Sequence, residues 1–177
     1  MATIATYHLH DNKNHDCLNN HDFFIYNIMI TSINEFKNLK MKKLKVALFG
    51  TCNNSTWREE LIPLLKVDYF NPVVLDWKPE DAENEIKQRE ICDFILYVIT
   101  PKMTGVFAIA ELTKDAILIP EKTIICFLET DGDNEFDKAQ LKSINATKKL
   151  IEDNTEAICF NTLKEIADYL NLNQTEL

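Results

Sequence analysis

Glycine and proline are scarce in this chain, at 3 and 5 of 177 residues. That scarcity excludes collagen-like repeats and low-complexity linkers. Basic residues are also outnumbered: 19 Lys and Arg stand against 28 Asp and Glu, a formal net charge of -9. A chain with that balance and no basic block is not built to wrap a nucleic-acid polymer or to lie on an anionic membrane. No apolar run approaches the roughly 18 residues of a membrane-spanning helix. The N-terminus lacks the basic stretch and apolar segment of a secretory signal. The five cysteines, at positions 17, 52, 92, 126 and 159, are scattered and never form a CxxC pair. Cys92, Cys126 and Cys159 adjoin or sit in apolar runs, which reads as small buried hydrophobes in a reducing compartment, so a cytoplasmic protein is expected.

Histidine is missing where chemistry would need it. All four residues (His8, His10, His15 and His21) fall in the first 21 positions. The main body therefore has no Ser-His-Asp or Cys-His catalytic set and no His-ligated zinc. The N-terminal four have no cysteine pair or carboxylate spacing beside them and read as a polar tail. Neither a metal ion nor a cofactor is expected.

What the chain does hold is 46% hydrophobic and 27% charged residues, enough for one sizeable core in one domain. Residues 1–40 are rich in Asn, His and Asp and read as a polar, poorly ordered extension. The run Met41-Lys-Lys-Leu-Lys-Val-Ala-Leu-Phe-Gly50 looks like the start of a cytosolic α/β domain, expected over 41–177. From there the elements alternate. Apolar runs at 44–49, 94–100, 123–128 and 157–160 predict buried strands. A further strand is expected at 69–75, with Pro72 arguing for an edge or a bend. Helical spacing is expected over 55–66 with Ser55 as N-cap, 79–91 with Pro79 in its first turn, 106–116, 136–152 and 163–170. Asp131-Gly-Asp-Asn reads as a loop. Five strands alternating with five helices predict a three-layer, flavodoxin-like (Rossmann-like) α/β fold, a five-stranded parallel sheet with helices on both faces. Ligands of such sheets bind beyond the carboxyl ends of the strands, at the switch point.

The residues at those strand ends are polar and specific. After the first strand comes Gly50-Thr-Cys-Asn-Asn-Ser-Thr-Trp57-Arg58, with a single glycine, so it is neither a dinucleotide fingerprint nor a Walker loop. Its small hydrogen-bonding residues before a helix N-terminus suit an anion, with Arg58 as a supplement. The structural alternative is a capped loop with Trp57 on the core. Asp76 and Trp77 follow the second strand, where an Asp accepts from sugar hydroxyls and a Trp stacks on a flat ring. Alternatively they are a cap and a buried aromatic. Glu111 is a lone carboxylate within Val-Phe-Ala-Ile-Ala-Glu-Leu, and apolar surroundings fit a carboxylate for nucleophilic or acid–base work. Its alternative is a solvated pair with Lys114. Glu85 lies beside Ala82 and Ile86 on the expected inner stripe of a carboxylate-rich helix, with an i,i+4 pair to Arg89 as its alternative. Two carboxylates converging from different elements are what glycosidic chemistry uses.

In order and spacing, Lys45-Val-Ala-Leu-Phe-Gly-Thr, Ser-Thr-Trp57-Arg58, Asn71-Pro, Glu85, Cys92-Asp-Phe-Ile-Leu-Tyr-Val-Ile-Thr-Pro and Thr104-Gly-Val-Phe-Ala-Ile-Ala-Glu111-Leu resemble the nucleoside 2-deoxyribosyltransferase-like family, over roughly residues 44–170. The resemblance implies a flavodoxin-like fold that cleaves the N-glycosidic bond of a nucleoside or nucleotide. It gives Glu111 the role of nucleophile at the sugar C1′, Glu85 that of acidic partner, and Gly50, Thr51, Asn53 and Trp57 that of pocket lining. Ser55, Arg58, Asp76, Trp77 and Thr104 complete the expected substrate contacts. The chain departs from the family where Lys102-Met-Thr-Gly105 holds no aspartate and where Leu48 replaces a tyrosine, which leaves hydrolysis and transfer both open. Family members are commonly oligomeric, which leaves a homo-oligomer open. Two other functions stay open as well: a non-catalytic nucleotide-binding module, and a TIR-like domain that cleaves NAD.

Overall fold

The computed structural model describes residues 43–76 and 78–174. The expected extension at 1–40 and Trp77 lie outside the described residues. Five strands form one all-parallel sheet: β1 (Lys45–Gly50), β2 (Asp68–Phe70), β3 (Phe94–Ile99), β4 (Thr123–Phe127) and β7 (Ile158–Phe160), in the order β2-β1-β3-β4-β7. Two short strands, β5 (Thr130–Asp131) and β6 (Asn134–Glu135), pair as a separate antiparallel hairpin. Five α-helices lie among the described residues: α1 (Trp57–Leu61), α2 (Pro79–Ile91), α3 (Phe107–Leu118), α4 (Lys138–Asn154) and α5 (Leu163–Asn173). None is long and apolar enough to cross a membrane.

The strands are apolar at nearly every position because both faces of the sheet are covered. Side chains alternate between faces, and the two cores follow that alternation. Val46, Leu48, Leu96, Val98, Ile124 and Cys126 point to one face and pack with Trp57 and Leu61 of α1 and Ile166 and Leu170 of α5. Ala47, Phe49, Ile95, Tyr97, Ile99, Ile125 and Phe127 point to the other and pack with Leu112 and Ala116 of α3 and Ile144 and Ile151 of α4. This is the three-layer flavodoxin-like arrangement expected from the sequence. Cys92 and Cys126 are buried and Cys159 is half-buried, none of them in a disulfide. Burial pushes the Cys126 thiol up to about 12.

Three elements differ from their sequence patterns. The second strand stops at Phe70 instead of running to Leu75, because Pro72 cannot donate to the ladder; β2 is the sheet edge beside β1. The first helix is only five residues, followed by a 3-10 turn at Ile62–Leu64. Pro63 ends it, lacking the N–H and crowding the carbonyl four residues back. Ser55 is not its cap: Thr56 holds that position and makes no side-chain cap bond. The 131–134 segment is the β5–β6 hairpin, turned at Gly132 with φ +61°.

Candidate active site

The reversal of strand order falls between β1 and β3, where a parallel sheet opens a crevice at its carboxyl edge. A cleft of about 760 Å³ lies there, within the usual size of a small-ligand site. Its floor is Phe49, Gly50 and Thr51 at the end of β1. One wall is Pro72, Val73 and Val74 with Ala82, Glu85, Ile86 and Arg89 of α2. The other is Met103, Thr104 and Gly105 with Phe107, Ala108 and Glu111 of α3.

Gly50 is required by backbone geometry. Its φ is +116°, and a Cβ there would lie 2.0 Å from the carbonyl oxygen of Val98, its register partner on β3. The chain can then turn so that Thr51 N donates to Val98 O at 2.9 Å, while Thr100 N donates to Thr51 Oγ1 at 3.0 Å. Asn54 takes a left-handed φ of +56°, which Asn tolerates better than most residues.

Two residues expected to contact substrate serve this loop instead. Trp57 is 1% exposed and belongs to the core. Its indole Nε1 donates to Thr51 O at 2.8 Å. Ser55 is buried and donates to the Asp131 carboxylate. Arg58 does reach the cleft, but it is 3% exposed and its donors are taken by main-chain carbonyls: Nε and Nη2 to Leu48 O at 3.1 and 2.9 Å, Nη1 to Thr51 O at 2.7 Å. It ties the end of β1 to α1 and is not an anion clamp, and a five-residue helix adds little dipole to attract one. Asp76 is exposed in the segment before α2 and is not among the cleft residues. Nor does it cap that helix, since Lys78 N donates to Asp81 at 2.8 Å.

Asn53 and Thr104 meet across the cleft rim, Asn53 Nδ2 donating to Thr104 Oγ1 at 2.6 Å and to Lys102 O at 3.2 Å. Lys102 donates to Asn54 O at 3.0 Å and pairs with Asp131 at 3.0 Å. Asp131 thus fastens the loops after β1 and β3 from behind. Burial would raise its carboxyl, but hydrogen bonds from Ser55, Thr100 and Lys102 and the Lys102 charge outweigh burial and lower it.

Glu85 and Glu111 come from different helices and share the cleft. Glu111 does not take Lys114 as its ion partner. It pairs with Arg89, whose Nη2 donates to Oε1 at 2.5 Å. Arg89 also donates to Asp115 and to Tyr97 Oη, and Tyr97 donates to Asp115 at 2.7 Å. The guanidinium carbon lies 4.3 Å over the Phe49 ring, a favourable cation–π contact. Burial pushes the Glu111 carboxyl above its ordinary value, helped by the negative charges of Asp115 and Glu85 and opposed by Arg89 and Lys114. Burial, then the hydrogen bond to Asp115, pushes the Tyr97 phenol up as well, so it stays a donor. Arg89, Asp115, Tyr97 and Asp131 are the residues the sequence reading missed. Asp115 carried one signal, a carboxylate one turn beyond Glu111 on the same helix.

The fold and cleft define a class: a three-layer α/β domain of flavodoxin-like topology with a cleft at the switch point. No family model, curated protein or solved structure matches the chain. Among the described residues, no group of three or more His, Cys, Asp or Glu side chains is placed to hold a metal ion.

Proposed function

We propose that the protein cleaves the N-glycosidic bond of a nucleoside or nucleotide, with Glu111 as nucleophile and Glu85 as its acidic partner. One observation carries the reading: these two carboxylates, from α3 and α2, line one cleft at the carboxyl edge of a parallel sheet. The resemblance of the motifs to the nucleoside 2-deoxyribosyltransferase-like family supports it. So does the lining, in which Val73, Val74 and Ile86 on one wall and Phe107 on the other offer apolar faces for a flat base. The Glu111 carboxylate attacks C1′ as the C1′–N bond breaks, the electron pair leaving with the base, which takes the proton of the Glu85 carboxyl. Water or a second base then displaces the carboxylate from C1′, giving its proton to Glu85, which yields hydrolysis or transfer. A homo-oligomer whose neighbour completes the pocket belongs to the same reading, and the four described cysteines, none of them in a disulfide, suit a reducing cytoplasm.

A second reading is a non-catalytic nucleotide-binding module. The ion pair between Arg89 and Glu111 favours it, because a neutralised carboxylate is a weaker nucleophile. One panel separates the two. Deoxynucleosides, ribonucleosides, their 5′-monophosphates and NAD are incubated with the protein, free base is measured by chromatography, and the thermal melt is recorded with each. Base release from a nucleoside or nucleotide is expected. Stabilisation without release would favour the module, release from NAD alone would favour a TIR-like glycohydrolase, and neither response would overturn all three.

A further inference from the structure

Arg89 is held from several sides at once. The Phe49 ring lies beneath the guanidinium, Nη1 serves Tyr97 Oη and Asp115, and Nη2 serves Glu111 Oε1. Helix α2 has no fully buried residue, and Arg89 already fixes it to the sheet and α3 through Tyr97 and Asp115, whose side chain is 5% exposed. Glu111 differs, since its side chain is 26% exposed on the cleft wall. Resting on the reading of Glu111 as nucleophile, we propose that Arg89 is the positioning residue of the reaction, binding Oε1 and presenting Oε2 to the sugar.

The charges around Glu111 explain why the site needs it. From α2 come Glu85 and Arg89, from α3 Asp115 and Lys114, and from β3 the protonated Tyr97. Arg58 of α1 lines the cleft but is bound by carbonyls. Lys114 is 64% exposed, so solvent screens it. Removing Arg89 leaves Glu111 on the half-buried cleft wall beside Glu85 and Asp115, with the solvent-screened Lys114 as the remaining nearby cation among the described residues. Burial and the two neighbouring negative charges then disfavour the ionised form of Glu111 at neutral pH. Glu111 takes up a proton, and a protonated acid is no nucleophile. Tyr97 and Asp115 keep the guanidinium in place from behind, so Arg89 holds Glu111 without being drawn into the cleft.

The test compares wild type, Arg89→Met and Arg89→Lys in the full chain with two readouts. The first is a carbon-13 NMR titration of the Glu111 side-chain carboxyl in glutamate-labelled protein, assigned with Glu111→Gln; it needs no substrate. The second is the pH profile of kcat/KM for base release. In Arg89→Met, both the titration and the acidic limb of the profile are expected to move up by about one pH unit or more, so that activity lost at neutral pH returns on alkalinisation. In Arg89→Lys both move less, in the same direction. An unmoved titration in Arg89→Met, or a loss of activity that no pH restores, overturns the proposal and leaves Arg89 a staple. If Arg89→Met does not fold, Arg89→Lys carries the test, and an unmoved titration there overturns it equally. If wild type releases no base, the nucleophile reading and the role of Oε2 fall together. The NMR shift alone would then still establish Arg89 as the group that keeps Glu111 ionised.

Discussion

Arg58 and Arg89 both reach the cleft, and each is committed to groups of the protein itself. Around Arg58 the commitment is to the backbone: Leu48 O and Thr51 O take its donors, and Thr51 O also takes the Trp57 indole. A carbonyl at a strand end that pairs with no neighbour must find a donor when buried, and residues six to ten positions on supply it. The sequence shows a polar loop followed by Trp and Arg, but not which way they turn. Ligand and backbone compete for the same donors, and here the backbone is nearer. Trp57→Ala is therefore expected to cost about 3–5 kcal/mol of folding free energy, read from denaturant unfolding, with added loss because Thr51 O gives up a partner. Wild-type stability with weakened ligand binding would return Trp57 to the cleft wall.

Among the elements, those with long periodic patterns were legible. The charged segment at 79–91 is α2 to the residue, and the buried strands fall within a residue or two of their apolar runs. Two prolines cut elements shorter than their apolar patterns: Pro72 marks β2 as the edge strand it is but also ends it early, and Pro63 ends α1. The β5–β6 hairpin left no pattern because two-residue strands have no period. The candidate site was legible where one residue carries the signal alone, as with Glu111 in an apolar run. It was illegible where elements far apart in sequence meet, as Arg89 of α2, Tyr97 of β3 and Asp115 of α3 do. Asp131 is the clearest case, a hairpin residue that fastens Ser55 and Lys102. Because its folded value lies below the ordinary 3.8, the folded chain holds the proton less tightly than the unfolded one. Its contribution is complete above that value and is lost as pH falls through the folded value. Asp131→Asn is expected to lower stability at neutral pH and to flatten the loss of stability on acidification below about pH 4. An equally steep acid loss in the variant would show that Asp131 is not what acid removes.

At the scale of the molecule, the two faces of the sheet bury cores that, among the described residues, are drawn from 44–170. A chain beginning at Met41 should accordingly fold and melt as the full chain does, measured by differential scanning calorimetry. Insolubility or a much lower melting temperature would show that residues 1–40 complete the domain.

The site adds a strain of its own, because a carboxylate raised by burial and by Asp115 and Glu85 costs stability once ionised. The folded chain binds that proton more tightly than the unfolded chain, so the cost grows as pH rises above 4.5, the ordinary value. Glu111→Gln removes the charge and keeps the shape, and Arg89 retains Asp115 as partner. The variant should melt above wild type at neutral pH, with the advantage vanishing in acid. Its rate is the most direct measurement of the central claim: base release from the best wild-type substrate, at saturation, with the melt recorded beside it. A folded variant that binds the nucleoside and releases base roughly a thousandfold more slowly or worse is expected, a barrier increase of about 4 kcal/mol. Wild-type release by a folded Glu111→Gln protein would contradict it.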